Sequence, residues 1–230
     1  MNISVVIPTI NRVDLLKECL EPLVRNREVF QHILIVDNGK QDISDLPNIH
    51  TNSILLTTTS RNLGAGGSFN LGFNVMKREA DWVLLLNDDI VLSDETVVAL
   101  PALLEKYADK WLLVGTCSYC SFAVNVECLE HMEYDEGLYF DEAFYPAYCE
   151  DVDFEWRMKL IDKSKIVKNL KGLDPAVYRR KGSSSKDPSL RKYGKVRKYF
   201  VEKWGGGPRH PKYKIPFNGK REWPEKITKE

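Results

Sequence analysis

Trp82-Val83-Leu84-Leu85-Leu86-Asn87-Asp88-Asp89 is the stretch that decides the fold. Five consecutive apolar residues have the length of a strand, and without alternation both faces of that strand must be covered. The run ends in two carboxylates. In sheets covered on both faces, ligands bind beyond the carboxyl ends of the strands. Asp88 and Asp89 therefore stand where oxygen ligands for a hard divalent cation are wanted. Taken alone, the pair also reads as a turn.

Outward from this run, similar apolar stretches recur at residues 3–7, 32–36 and 53–56. Segments with apolar residues at helical spacing, 13–24 and 69–76, fall between them. Strands alternating with helices predict an α/β fold: a mostly parallel central sheet with helices on both faces. The strand ends then single out Pro8-Thr9 and Asp37-Asn38 beside Asn87-Asp88-Asp89. A helix over 94–107 and a strand over 111–114 follow, after which the pattern turns irregular and aromatic through Tyr134, Tyr139, Phe140, Phe144, Tyr145 and Tyr148. These rings read as core or interface filler, and their faces also suit a sugar in an acceptor site.

A second acidic cluster, Glu150-Asp151-Val152-Asp153, opens a predicted helix through Phe154, Trp156, Arg157 and Leu160. A carboxylate here can accept a proton as a general base, and Asp151 alone also reads as a helix cap. Asp153 and Arg157, spaced i and i+4, read as a surface ion pair. Residues 163–186 are predicted as short strands and a loop. A helix from about Ser189 to Lys203 stops at Trp204-Gly205-Gly206-Gly207-Pro208, where glycine and proline forbid continuation. Residues 209–230 read as an extended tail.

The 230 residues suit one domain, 1–186, followed by a helical, basic C-terminal extension, 187–230. No apolar stretch has the length of a membrane span and no signal segment opens the chain, so a soluble, cytoplasmic protein is expected. Five scattered cysteines argue against a disulfide framework. Cys117-Ser-Tyr-Cys120 has zinc-like spacing but no second pair at a matching interval. The zero net charge hides an asymmetry. Residues 1–156 hold ten Lys and Arg against 26 Asp and Glu, whereas residues 157–230 hold 23 against seven. The basic segment either folds back on the acidic body or meets an anionic surface. Nucleic acid is not an expected partner.

The glycine-rich stretch Arg61-Asn62-Leu63-Gly64-Ala65-Gly66-Gly67-Ser68 is predicted to precede a helix whose first turn includes Phe69. A helix N-terminus there suits a phosphate. The stretch lacks the ending of a Walker loop and follows the wrong strand for a dinucleotide fingerprint.

The ordered set is more specific: VVIPTINR at 5–12, ILIVDNG at 33–39, RNLGAGGSFNLG at 61–72, LLLNDD at 84–89 and FDEAFYPAYCEDVDFEWR at 140–157. It resembles the family-two inverting glycosyltransferases of GT-A fold, in their rhamnosyl- and galactofuranosyl-transferase-like branch, over residues 1 to about 185. KYFVEKWGGGP at 198–208 is similar to the ending of short soluble members, some of them encoded by viruses and phages. The resemblance implies a nucleotide-binding half, 1–89, and an acceptor and catalytic half, 90–186. It implies that Thr9, Asn11 and Arg12 contact the nucleoside and that Asp37 recognises a uracil or thymine ring. Arg61, Asn62 and Gly66 would lie beside base and ribose. Asn87-Asp88-Asp89 occupies the metal and diphosphate motif, with Asp89 as ligand to Mn2+ or Mg2+ and Asp88 at ribose or a metal-bound water. Asp151 matches the general base.

One departure concerns the metal. Many relatives place a ligating His after the base motif, where this chain reads Val177-Tyr178-Arg179-Arg180-Lys181-Gly182. Arg180 stands near that position, and a guanidinium can bind diphosphate oxygens directly. The implied function is transfer of a sugar from a UDP- or dTDP-sugar to a hydroxyl of a carbohydrate or glycoconjugate. The rivals are a sugar-1-phosphate nucleotidyltransferase and a non-catalytic protein that binds nucleotides or anionic partners.

Overall fold

The computed structural model describes residues 1–39, 41–43, 46, 54–178 and 193–223. The four apolar runs form strands β1 (Ile3–Thr9), β2 (His32–Asp37), β3 (Ile54–Thr58) and β4 (Trp82–Leu86). They lie parallel in the order β3-β2-β1-β4. Between and after them come α1 (Val13–Arg25), α2 (Gly64–Met76), the short β5 (Ile90–Val91) and α3 (Asp94–Lys106). Helix α3 starts where expected because the Ser93 hydroxyl accepts the Thr96 amide at 3.1 Å and Asp94 and Glu95 occupy its positive end.

The sheet continues through β6 (Leu112–Gly115), β7 (Ser118–Asn125) and, after α4 (Leu129–Met132) and α5 (Glu150–Asp162), β8 (Ile166–Val167). Its full order is β3-β2-β1-β4-β7-β6-β8, with β7 antiparallel to both neighbours. This architecture is the mostly parallel α/β sheet predicted, with one difference. Residues 118–125, read as irregular, form the eight-residue β7 that joins β4 to β6. Its buried Ser121 and Asn125 interrupt the apolar pattern by which strands are recognised.

Alternating strand side chains divide the core. Ile3, Val5, Ile7, Leu84 and Leu86 pack with Leu16, Leu20 and Leu23 of α1 and Val97, Leu100 and Leu104 of α3. Val6, Leu34, Val36, Val83 and Leu85 face Phe69, Phe73 and Met76 of α2 and Phe154 and Met158 of α5. Both faces are thus covered, as continuous apolar strands require.

After β9 (Val177–Tyr178), which pairs with β5, helix α6 (Tyr193–Trp204) packs Val196, Phe200 and Trp204 against Phe144 and Cys149. The following residues do not run free to 223: the Lys212 and Tyr213 amides bond to the Trp204 carbonyl, and Trp223 stacks on Tyr134 at 4.6 Å. The five cysteines are free thiols. Among the described residues no helix is long and apolar enough to cross a membrane.

Candidate active site

Because β1, β2 and β4 are parallel and in register, with Thr9 opposite Asp37, their carboxyl ends share one edge of the sheet. That edge borders a cleft of about 440 Å³. Thr9 and Arg12 line it after β1, Asn38 after β2, and Asn87, Asp88 and Asp89 after β4. Glu150 and Asp151, at the start of α5, line the same cleft. The two acidic clusters, some 60 positions apart in the chain, therefore face one space.

Asp88 and Asp89 have different surroundings. The Thr9 hydroxyl donates to Asp88 Oδ2 at 2.8 Å, and Arg12 Nη1 lies 3.2 Å from Oδ1. Burial pushes the Asp88 carboxyl up to about 6, against the opposing pull of Arg12 and the Thr9 hydroxyl. Asp89 is also buried, yet its Oδ1 has no hydrogen-bond partner among the described residues. An enclosed carboxylate oxygen left without a partner is costly until something binds it. This orphan oxygen fits a hard cation. Among the described residues no group of three His, Cys, Asp or Glu is placed to hold a metal, so further oxygens would have to come from a ligand.

Asp37 is buried and is not among the residues that line the cleft. Its Oδ1 accepts the Gly39 amide at 2.9 Å, and its Oδ2 lacks a partner among the described residues. Asn38 ties this strand end to the next segment, accepting the Leu63 amide at 2.8 Å and donating to Ser68 at 2.9 Å. Gln41 accepts the Arg12 amide at 2.6 Å and donates to Thr9 at 3.1 Å. Sequence reasoning passed over Gln41, since a lone amide carries no pattern. Asn62 lines the cleft; Asn11 and Arg61 are exposed and outside its lining. Arg180 lies outside the described residues, as do Arg179 and Lys181.

The glycine-rich stretch is not a turn before the helix. Helix α2 begins at Gly64, so Gly66 and Gly67 are helical. A Cβ on Gly66 would meet Phe140 and Glu150 at 3.5 and 3.6 Å, and one on Gly64 (φ +74°) would lie 2.5 Å from the Pro146 carbonyl oxygen. These glycines bring α2 against the segment that carries the second acidic cluster. Its first amides are also occupied: Leu63 by Asn38, Gly64 by Asn62 and Ala65 by the Pro146 carbonyl at 2.8 Å. Those amides are not available as an anion hole.

Tyr148 (φ +83°) and Cys149 (φ +69°) are successive left-handed residues immediately before α5. Such conformations cost about 1–3 kcal/mol each without glycine and cluster at functional sites. They set the angle at which Glu150 and Asp151 enter the cleft. Glu150 is buried with Oε2 unpartnered among the described residues. Burial and the neighbouring Asp151 charge hold its carboxyl well above the usual range. Burial also raises Asp151, to about 6, while the Val152 amide, at 2.7 Å from its Oδ1, opposes the shift. Burial thus raises both carboxyls, and the charge of Asp151 raises Glu150 further. A buried carboxylate at the edge of a cleft is suited to accept a proton there.

Glu155, one turn beyond Asp151, accepts the Tyr119 hydroxyl and both its oxygens take Lys168 Nζ, at 3.1 and 3.0 Å. No sequence signal joined these three. Arg157 is not a surface residue: it is buried, with Nε 3.0 Å from Asp153 Oδ2 and its other nitrogens on the Met132 and Tyr139 carbonyls.

The sheet and the paired acidic clusters define the class of GT-A glycosyltransferase folds. Residues 4–170 match the model of glycosyl transferase family 2, and the chain belongs to that family. It is 33% identical over 112 residues to galactofuranosyltransferase GlfT1 of Mycobacterium tuberculosis, a match covering 46% of this chain and 37% of that protein. Among solved structures, S. aureus TarS 1–349 in complex with UDP-GlcNAc has a TM-score of 0.58 at 16% identity, over 73% of this chain and 56% of that one. Glucosyl-3-phosphoglycerate synthase from M. tuberculosis, with Mn2+, UDP and phosphoglyceric acid, has a TM-score of 0.56 at 14% identity, over 73% and 67%.

Proposed function

We propose that this chain is an inverting glycosyltransferase that moves a sugar from a UDP- or dTDP-sugar to an acceptor hydroxyl. The observation that carries this reading is the single cleft into which both Asp89 and Asp151 open. A sugar hydroxyl is a poor nucleophile until a base takes its proton as the new bond forms. Asp151, which lines the cleft from the first turn of α5, is the base. Attack from its side, opposite the leaving diphosphate, inverts the anomeric carbon.

The donor would lie along the strand ends. Asp37 offers an unpartnered oxygen to the imide N–H of uracil or thymine, and Thr9, Asn11, Arg12, Arg61, Asn62 and Gly66 are the nucleoside residues implied by the family resemblance. Asp89 would hold Mn2+ or Mg2+, which supplies charge neutralisation for the departing diphosphate. Arg180, which lies outside the described residues, would contact the diphosphate directly. The two UDP-bound structures of this fold support the choice of nucleotide, and one of them contains Mn2+. The acceptor is a glycan or glycoconjugate hydroxyl. The basic C-terminal segment, which exposes Lys195, Arg197 and Lys198 on α6, would make a peripheral contact with an anionic surface.

A panel of UDP- and dTDP-sugars, read by release of nucleoside diphosphate with and without manganese, tests this function. Diphosphate release from at least one sugar supports it. Release of pyrophosphate from a nucleoside triphosphate and sugar phosphate would reassign the chain as a nucleotidyltransferase.

A further inference from the structure

Helix α6 lies beyond the family match, which ends at residue 170. Its Lys203 is nevertheless fully buried. Lys203 Nζ lies 2.7 Å from Asp141 Oδ2 and 2.7 Å from Asp153 Oδ1, with the Trp223 ring centroid 3.6 Å away. Trp204 Nε1 donates to the same Asp153 oxygen at 2.7 Å, and Tyr199 donates to Asp141 at 2.8 Å. Arg157 takes the other oxygen of Asp153. All of these groups are satisfied within the protein.

The placement of the two carboxylates gives this network its meaning. Asp141 opens the segment 141–149, and Asp153 sits two residues after Asp151 in the first turn of α5. One cation from α6 thus ties together both ends of the stretch that contains the left-handed Tyr148 and Cys149 and delivers Glu150 and Asp151 to the cleft. A buried ion network is a poor source of stability compared with apolar packing of the same volume. What it supplies is a single geometry, because each charge must keep its partners.

We infer that Lys203 and Trp204 are positioning residues for Asp151: through Asp153 and Asp141 they hold the start of α5 at one angle to the cleft, so that the C-terminal helix is part of the catalytic unit. The inference rests on the reading of Asp151 as the base. Neither residue lines the cleft, so they act on the reaction only through the residues they hold.

The test compares wild type with Lys203→Met, Trp204→Phe, Asp151→Asn and, as a stability control remote from the cleft, Leu104→Ala in α3. For the nucleotide sugar that wild type turns over fastest, kcat and donor KM are measured, together with UDP affinity by calorimetry and the thermal midpoint. Lys203→Met is expected to lower kcat at least 10-fold and Trp204→Phe several-fold, with UDP affinity within twofold of wild type. Leu104→Ala, though its midpoint falls, keeps kcat within twofold while folded. If Lys203→Met fails to fold, Trp204→Phe decides, because it removes one hydrogen bond and leaves the cation in place. The inference is overturned if Trp204→Phe turns over like wild type while Asp151→Asn does not, or if its UDP affinity and kcat fall together. Wild-type turnover by Asp151→Asn, or no turnover of any nucleotide sugar by wild type, would instead overturn the reading beneath it and the inference with it.

Discussion

Thr9 and Asp88 are joined by a 2.8 Å hydrogen bond between the ends of β1 and β4, across 79 positions of sequence. With Arg12 on its other oxygen, Asp88 is already satisfied by the protein. Asp89, the next residue, keeps an oxygen without a partner among the described residues. The two carboxylates therefore differ in what the fold leaves free to bind a ligand.

Asp89→Ala should abolish the part of UDP affinity that depends on manganese, whereas Asp88→Asn should keep a manganese response. Titration of UDP by calorimetry, with manganese and with chelator, separates them. An unchanged manganese response in Asp89→Ala would remove Asp89 as the ligand.

On the proposed reading, the unpartnered, buried Oδ2 of Asp37 would accept the imide N–H of the base. A hydrogen bond to a charged group contributes about 1.5–3 kcal/mol, so Asp37→Ala should weaken UDP binding roughly 10- to 100-fold. The same substitution should matter little for a nucleotide lacking the imide N–H, such as CDP. Equal losses for UDP and CDP would place Asp37 in the scaffold.

The raised Asp151 pKa predicts opposite trends for activity and stability. The base must be ionised, so kcat/KM should rise with pH through about 6. For stability, the folded carboxyl holds its proton to higher pH than the ordinary value of 3.8. Folding is therefore weakened as pH climbs from about 4 to 6, and the full cost is present above that window. Asp151→Asn should melt higher than wild type at pH 8, by a margin on the order of 1–3 kcal/mol that vanishes near pH 4. A margin unchanged with pH would show that Asp151 titrates normally.

Gly72 of α2 packs directly on Val6 of β1. A Cβ there would lie 2.5 Å from Val6 Cγ2, so Gly72→Ala should destabilise by about 1–3 kcal/mol despite the better helix propensity of alanine. Adding Val6→Ala should relieve the clash, giving a double mutant more stable than the two losses summed. Additive losses in chemical denaturation would contradict that packing.

The parallel half of the sheet was legible because β1, β2 and β4 are buried on both faces and read as unbroken apolar runs. Strand β7 was not, since serine, cysteine and asparagine within SYCSFAVN blur the same signal. The strand-end carboxylates could be located from sequence, but the difference between Asp88 and Asp89 depends on Thr9 and Arg12, which only the folded chain brings to them. The glycines of 64–67 read as a phosphate-suited stretch ahead of a helix; that they lie within it, against Pro146 and Glu150, depends on contacts only the folded chain makes. Lys203 stood among the cations of a basic segment, and nothing in its spacing tells a buried lysine from a solvated one.

Asp151→Asn, assayed for both UDP affinity and sugar transfer, tests the account most directly. The amide keeps the size and polarity of the side chain but cannot accept the acceptor's proton. The account predicts donor affinity within about twofold of wild type and transfer lowered roughly 10²–10⁴-fold. Transfer at the wild-type rate would contradict it.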